Sequence, residues 1–219
     1  MRIREIIISV NQIPLVKEFY NAKLKFDISS ESESYVSFNA GSSILTFTEN
    51  NGHDNPFYHF AFNIPKNKIN EAFNLIKHKT EIINNEIYSF GSWNADFFYF
   101  RDPAGNIVEF IARHNLKNEA EEEFNTGRVE CISEIGIVCK DVLATAKELN
   151  EKLNIPYWKN RSSEFTTLGD EDGLLILVNE KRNWFPTEIP SGLFPLTVKL
   201  GDNSGSKFEI QDLPYKFIY

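Results

Sequence analysis

The sequence is poor in residues and segments on which several classes of protein depend. It has 2 cysteines among 219 residues, and no apolar run reaches the roughly 18 residues that suggest a membrane span. It also lacks the apolar N-terminal segment of a secretory signal. The net charge of −8 argues against a general nucleic-acid-binding surface, which would need a basic stripe. We therefore expect a cytoplasmic protein with neither a nucleic-acid nor a membrane partner.

Motifs that mark several common active sites are also missing. The sequence has no glycine-rich phosphate loop, no CxxC pair and no nucleophile elbow. The two cysteines, Cys131 and Cys139, fall on one predicted strand. At about 3.3 Å per residue they would stand roughly 26 Å apart, too far for a disulfide. This pattern is typical of a reduced, cytoplasmic protein.

Phenylalanine and internal repetition are what the sequence has in abundance. There are 19 phenylalanines, which favours aromatic-walled cores or pockets. The order strand, helix and about three strands occurs three times, each over some 50 residues, and such periods are strong evidence about architecture. The opening strands are predicted at residues 3–10, 58–64 and 132–139, and the helices at 14–24, 66–79 and 142–153.

The repeats divide the chain into three regions. The first, 1–114, is predicted to hold two paired units, 1–55 and 56–114. The acidic stretch 115–130 is predicted to be a linker, since charge runs of this kind are usually solvated. The last region, 131–219, is predicted to hold a degenerate third unit and a C-terminal hairpin, with strands at 195–200 and 207–211 joined by the turn-rich segment 201–206.

Alignment of the repeats shows which residues occupy equivalent strand positions. The opening strands place three polar residues at one position: Glu5, His59 and Glu134. The closing strands, aligned on their glycines, place at a second position Leu45, Glu109 and Leu177. Because Leu177 is apolar, Glu134 has no polar partner in its own unit, and we expect no second metal site there.

Glu109 and His59 are polar residues inside apolar strands. Burying a carboxylate or an imidazole is costly without a partner, and a shared metal ion would satisfy both. Glu109 could instead face water in an open cup or pair with an Arg or Lys. His59 could be a core histidine that donates to a backbone carbonyl, and Glu5 could lie at the surface or pair with Arg2 or Arg4.

These repeats, the strand-borne His59 and the segment DPAGNIVEFIAR together resemble the vicinal oxygen chelate superfamily. That superfamily includes glyoxalase I, fosfomycin- and bleomycin-resistance proteins and extradiol dioxygenases. The resemblance implies an α+β fold in which paired βαβββ modules form a curled, cup-like mixed sheet. It covers 1–113 well and the third unit more weakly.

The resemblance also implies a site. Its metal ligands would be Glu5, His59 and Glu109, while Leu45 stands where a fourth ligand would be. Glu109 would also be the catalytic base, because a carboxylate ligand can leave the metal and accept a proton. The metal would be a divalent ion such as Zn, Mn, Ni, Co or Fe. The substrate-binding wall would contain Trp93, Tyr35 and Phe47, for which ordinary core packing is the alternative.

Three functions follow from the resemblance. The first is Lewis-acid isomerase or lyase chemistry on a small molecule with vicinal oxygens. The second is extradiol dioxygenation, which calls for two histidine ligands where this chain offers one. The third is metal-free ligand binding between aromatic walls. The segment 181–186 (KRNWFP) suggests a lid or packing partner, and a homodimer is expected because family members often pair modules between chains.

Overall fold

The computed structural model describes residues 1–52, 54–201 and 205–219, which form four successive units. The first unit contains β1 (Ile3–Val10), α1 (Ile13–Lys17), a π-helical continuation (Glu18–Lys23), β2 (Ile28–Glu31), β3 (Tyr35–Ala40) and β4 (Ser43–Glu49). The second contains β5 (His59–Ile64), α2 (Ile69–Lys77), a 3-10 turn (Ile83–Asn85), β6 (Tyr88–Phe90), β7 (Ala95–Arg101) and β8 (Ile107–Arg113).

The third unit has the same order of one strand, one helix and three strands. Among the described residues, the fourth unit contains strands only. The third contains β9 (Cys131–Cys139), α3 (Val142–Leu153), β10 (Tyr157–Arg161), β11 (Phe165–Asp170) and β12 (Gly173–Asn179), and a 3-10 turn (Thr126–Arg128) precedes it. The fourth contains β13 (Leu196–Leu200), β14 (Lys207–Glu209) and β15 (Tyr215–Ile218). The predicted α+β class and the strand, helix and three-strand modules are therefore confirmed. Within the predicted turn 201–206, residues 202–204 lie outside the described part of the chain.

Local sequence signals explain where the helices begin and end. Pro14 occupies the first turn of α1. Backbone N–H groups in that turn have no partner within the helix, so the N–H that proline lacks costs no hydrogen bond. Asp141 caps α3 by accepting a hydrogen bond from the backbone N–H of Ala144 at 2.9 Å. Asn154 ends that helix in the left-handed conformation, with φ of 52°. None of the helices formed by the described residues is both long and apolar enough to span a bilayer.

The strands form two mixed sheets. The seven-stranded sheet has the order β14-β15-β13-β1-β4-β3-β2, and the eight-stranded sheet has the order β10-β11-β12-β9-β5-β8-β7-β6. In the eight-stranded sheet the opening strands β5 and β9 pair antiparallel at the centre, and each runs parallel to the closing strand of its own unit. The eight-stranded sheet curls into a half-barrel.

The pairing of units differs from the expectation. The first unit does not share a sheet with the second: β1 pairs with β13, whereas β5 pairs with β9. The opening strands are all short apolar runs, so local sequence does not specify their partners. The predicted hairpin is also corrected, because β15 lies between β13 and β14 and forms the hairpin with β14.

The main core lies on one side of the curled sheet and a second apolar cluster lies on the other. Along β5, Phe60, Phe62 and Ile64 point into the main core, together with residues from the seven-stranded sheet and the helices. The intervening residue Ala61 joins the second cluster, on the concave face. This alternation is the usual two-residue period of a strand, and it places every second residue of β5 and β8 inside the cup.

Candidate metal centre

Three adjacent strands bring one imidazole and two carboxylates together inside the cup. His59 lies on β5, Glu109 on β8 and Glu134 on β9, and one ligand atom from each lies within 4.8 Å of the others. All three residues are buried, with exposed fractions of 6%, 3% and 2%. Ala61 is opposite Glu109 on one side and Glu134 on the other, so its short side chain leaves space for the carboxylates to converge above it.

A β-bulge turns Glu134 toward the cup. On β9 the register with β5 shifts, so that Phe62 pairs with Ile132 while Ala61 pairs with Glu134, leaving Ser133 as the extra residue. Bulges of this kind bend a strand and redirect its side chains. As a result Ile132 and Ile135 both face the main core, and Glu134 points to the opposite face.

His59 is held as a neutral ring whose second nitrogen is free to bind a cation. Its Nδ1 lies 3.1 Å from the backbone oxygen of Ile107, which can only accept, so Nδ1 carries the proton. Its Nε2 is 3.7 Å from Oε2 of Glu109. Burial lowers the pKa of His59 to about 4, although the bond to Ile107 opposes this, and the charge of Arg182 lowers it further. The imidazole is therefore neutral at pH 7.

The two carboxylates experience different surroundings. Burial, followed by the charge of Glu134, raises the pKa of Glu109 well above its usual range. The Tyr99 hydroxyl donates a hydrogen bond to Glu109. Burial also raises the pKa of Glu134, but the adjacent guanidinium of Arg113 opposes that shift. These surroundings favour protonation of Glu109 over protonation of Glu134.

Arg113 is a completely buried cation that anchors Glu134. Its Nη2 donates to Oε1 of Glu134, and its Nε donates to the side-chain oxygen of Asn63 at 3.2 Å. The guanidinium carbon lies 5.7 Å from the ring centres of both Trp93 and Trp158. Its Nη1 has no hydrogen-bond partner among the described residues. A cation held this tightly fixes the carboxylate of Glu134 beside the cluster.

The cluster forms the floor of a cavity of about 630 Å³, within the usual range for small-molecule sites. Aromatic side chains are the largest group in its walls: Phe90, Trp93, Phe97, Tyr99, Phe165, Trp184 and Phe185. Three cationic side chains also line it: Lys159, Arg161 and Arg182. The chamber thus combines an acidic floor, apolar walls and a basic set of side chains.

The segment 181–186 covers part of this cavity. The ring of Trp184 lies 5.0 Å from the ring of His59, measured between centroids, and Phe185 contacts Tyr99 and Tyr88. Gly136 makes this position possible, because a Cβ there would lie 2.4 Å from the Trp184 ring. The expected lid or packing role of 181–186 therefore corresponds to a covering of the cup between the second and third units.

Substitution of Gly136 by alanine should push Trp184 away from His59. We expect a loss of about 1–3 kcal/mol in the free energy of unfolding, because the added methyl group overpacks a filled space. Urea denaturation would measure it. Gly91→Ala is the matched control, since a Cβ there has no atom within 4 Å. Equal stability of the two variants would contradict the prediction.

The structure brings three of the predicted site residues together and separates the other three. His59, Glu109 and Trp93 all line the cavity. Glu5 lies in the seven-stranded sheet, where it accepts a hydrogen bond from Thr46 at 2.6 Å and pairs with Lys199 at 2.6 Å. Its predicted place in the ligand cluster is thus corrected: the pairing of β1 with β13 carries it into the other sheet.

The aromatic wall requires a similar correction. Tyr35 lies on β3 in the seven-stranded sheet, and Phe47 packs in the main core against Tyr20 and Phe38. Both belong to the first unit, which does not contribute to the cup. The histidine His53, predicted to lie in a loop, falls outside the described residues.

Sequence reasoning missed the roles of three residues in or beside this chamber. Glu134 was aligned with His59 but considered only as part of a separate second site. Arg113 follows Glu109 at the two-residue period of β8, a signal that could have placed it in the cup. Arg182 belongs to the segment 181–186, for which a lid or packing role was expected but no binding role.

Comparison with known proteins agrees with this architecture. The sequence model of the Glyoxalase/Bleomycin resistance protein/Dioxygenase superfamily matches residues 2–110. No curated protein matches the chain. A protein from Bacillus subtilis subsp. subtilis str. 168, designated a candidate dioxygenase, is 15% identical with a TM-score of 0.64, over 92% of this chain and 71% of that one.

Two structures of glyoxalase I from Zea mays share the same fold. One is 17% identical with a TM-score of 0.58, covering 90% of this chain and 74% of that one. A mutant form is 15% identical with a TM-score of 0.62, covering 99% and 92%. From the sequence match and the paired modules together, the chain belongs to the glyoxalase/bleomycin resistance protein/dioxygenase superfamily.

Proposed function

We propose that the chain is a metal-dependent enzyme whose active site is the cup between its second and third units. It would act on a small molecule with vicinal oxygens, by isomerase or lyase chemistry. The observation that carries this proposal is the convergence of His59, Glu109 and Glu134 at the floor of a chamber large enough for a substrate.

The donor set suits one divalent ion. Two ligands that each lie about 2.1 Å from one ion can be at most about 4.2 Å apart. The separation of 3.7 Å between Nε2 of His59 and Oε2 of Glu109 meets that limit without movement. One neutral imidazole and two carboxylates suit a borderline ion such as Zn²⁺, Mn²⁺, Ni²⁺, Co²⁺ or Fe²⁺. A divalent cation would also compensate the second buried carboxylate, for which Arg113 provides no direct hydrogen bond.

The residues of the chamber have separable roles in such a reaction. When bound, the ion supplies Lewis acidity toward substrate oxygens. Glu109 would accept and return the proton next to a substrate carbonyl, and the Tyr99 hydroxyl would orient its carboxylate. Arg113 holds Glu134 in place, and the covering segment with Trp184 limits the entry of water. Dioxygenation is less well supported, because the cluster formed by the described residues contains one histidine rather than two.

Ligand binding without a metal is the second candidate function. The ion pair between Arg113 and Glu134 favours it, because this pair neutralises one buried carboxylate without any ion. The aromatic walls could then enclose a ligand by themselves. Metal content separates this candidate from the enzyme.

The proposal predicts about one divalent ion per chain after equilibration with Zn²⁺, Mn²⁺, Ni²⁺, Co²⁺ or Fe²⁺ and removal of the excess. Elemental analysis would count the metal, and competition with a chelating dye would give its affinity. The double variant His59→Ala/Glu109→Ala should lose the ion, because it removes two of three ligands. Glu134→Gln should weaken binding by about tenfold or more, in line with the loss of a charged ligand.

Glu5→Gln is the matched control, since Glu5 is a partly buried carboxylate on the equivalent strand position of the other sheet. It should keep the full metal content. Failure of every ion tested to bind near stoichiometry would favour the metal-free binding function. Retention of metal by the double variant would overturn the ligand assignment.

A further inference from the structure

Cationic side chains line the cavity although the protein as a whole is acidic. The net charge of the chain is −8, yet Lys159, Arg161 and Arg182 all line this one chamber. The acidic residues of the lining are Glu109 and Glu134, both in the cluster at the floor. The charge is therefore arranged with carboxylates at the floor and cations around the remaining wall.

Arg182 is the most buried of the three cations that line the cavity. It belongs to the segment that carries Trp184, whose ring centroid lies 5.0 Å from that of His59. It stacks over the ring of Phe165, with 4.7 Å from the guanidinium carbon to the ring centroid. Among the residues that the structure describes, its guanidinium has no salt bridge or hydrogen-bond partner, and Glu164 acts on it only through space.

The other two cations are placed differently. Lys159 donates to the backbone oxygen of Ser92 and lies 4.8 Å from the ring centre of Trp158. Arg161 is exposed and stacks over Tyr157 at 4.3 Å. Arg182 is thus a half-buried guanidinium with available donors next to an apolar chamber. Such a group is costly to desolvate without an anion.

The walls indicate the shape of the molecule that would supply this anion. Phe90 packs edge-on against Phe97 and tilted against Phe185, with ring centroids 4.9 Å and 5.7 Å apart. The side chain of Phe185 is 41% exposed, so part of this apolar surface is available to a ligand. Aromatic walls of this kind favour a flat or unsaturated body.

We propose that the substrate is a flat, carboxylate-bearing molecule whose carboxylate binds Arg182 while its vicinal oxygens face the His59 cluster. This inference rests on the proposed function for the orientation of the ligand. The planar guanidinium fork matches a carboxylate through two parallel hydrogen bonds. Arg161 and Lys159 add a positive field that attracts the anion. Arg182 determines the specificity for ligands that carry a carboxylate.

The test compares an anionic and a neutral ligand with the same vicinal oxygens. Binding of 3,4-dihydroxybenzoate and of 4-methylcatechol to the Zn²⁺-loaded protein would be measured by calorimetry without oxygen. The wild type should bind the carboxylate at least about tenfold more tightly, as expected for a charge-assisted hydrogen bond. Arg182→Gln should reduce that preference to within about threefold and leave the affinity for 4-methylcatechol nearly unchanged.

Two further variants make the result specific. Arg182→Lys should restore part of the preference, since it retains the charge without the fork. Arg101→Gln, an exposed arginine outside the cavity, should behave like the wild type. Metal content would be measured for each variant, so that a change in the cluster is distinguished from a change in anion binding.

The inference and the proposed function fail in different ways. Equal affinity of the wild type for both ligands, or an equal loss of both in Arg182→Gln, would overturn the carboxylate assignment even when metal binds. If no metal binds, the proposed function fails, and 4-hydroxybenzoate compared with 4-methylphenol on the metal-free protein still tests Arg182. No preference for the benzoate in that comparison would overturn the inference as well.

Discussion

Replacement of Arg113 by methionine is expected to lower the free energy of unfolding of the metal-free protein by about 3–5 kcal/mol. The side chain is fully buried and forms the ion pair with Glu134. Removal of one member of a buried pair leaves the other charge without compensation in a medium of low polarity. Methionine occupies a similar volume, so the lost stability reflects the missing positive charge more than a new cavity.

Chemical denaturation in the presence of a chelator would measure this loss. Lys147→Met is the control, because the Lys147–Glu151 pair on α3 is exposed and such pairs contribute little. Adding Glu134→Gln to Arg113→Met should recover part of the stability by removing the uncompensated carboxylate. A cost below about 1 kcal/mol for Arg113→Met would show that Glu134 is not charged beside it.

The metal-free protein is expected to lose about 3 kcal/mol of stability through His59 as the pH falls from 6.5 to 4. The pKa of His59 is lowered by burial to about 4, against an ordinary value of 6.5. The unfolded chain therefore binds a proton at this residue in a range where the folded chain does not. The contribution is complete above pH 6.5 and is lost as the pH falls through the folded pKa.

Comparison of unfolding free energies of the wild type and His59→Gln over pH 4–7.5 isolates this effect. Glu109 acts in the opposite sense, because its raised pKa gives a contribution to stability that is lost as the pH rises. The effect of His59 is therefore taken from the difference in unfolding free energy between the wild type and His59→Gln. Below pH 6.5 the variant should lose less stability than the wild type, by about 1.4 kcal/mol per pH unit. His78→Gln is the control, because His78 is exposed. If stability depended on pH in the same way in the wild type and in His59→Gln, the lowered pKa of His59 would be refuted.

The local hydrophobic periodicity of the sequence was sufficient to predict the repeated units and the positions of several site residues within them. The predicted helix at 142–153 matches α3 (Val142–Leu153), because a side-chain cap and a periodic apolar face specify it. The proximity of His59 to Glu109 also follows from the repeat, since opening and closing strands of one unit run side by side. These features depend on contacts within a single unit.

The choice of partner unit could not be predicted in the same way. The opening strands IREIIISV and HFAFNI are both apolar enough to lie at a sheet centre, and nothing in either specifies its neighbour. That choice decides whether Glu5 or Glu134 faces His59. It depends on long-range packing, including a bulge at Ser133 that the sequence pattern does not reveal.

The pairing of the first unit with the last has a consequence for synthesis of the chain. The strand β1 is synthesised well before its neighbour β13, which begins only at Leu196. A ribosome-bound chain would therefore carry β1 with one unpaired edge, and with Ile6 and Ile8 lacking part of their cover, until β13 has been synthesised. Unpaired edges promote association between chains. Truncation before Leu196 should thus produce aggregation while every residue of the metal cluster is still present.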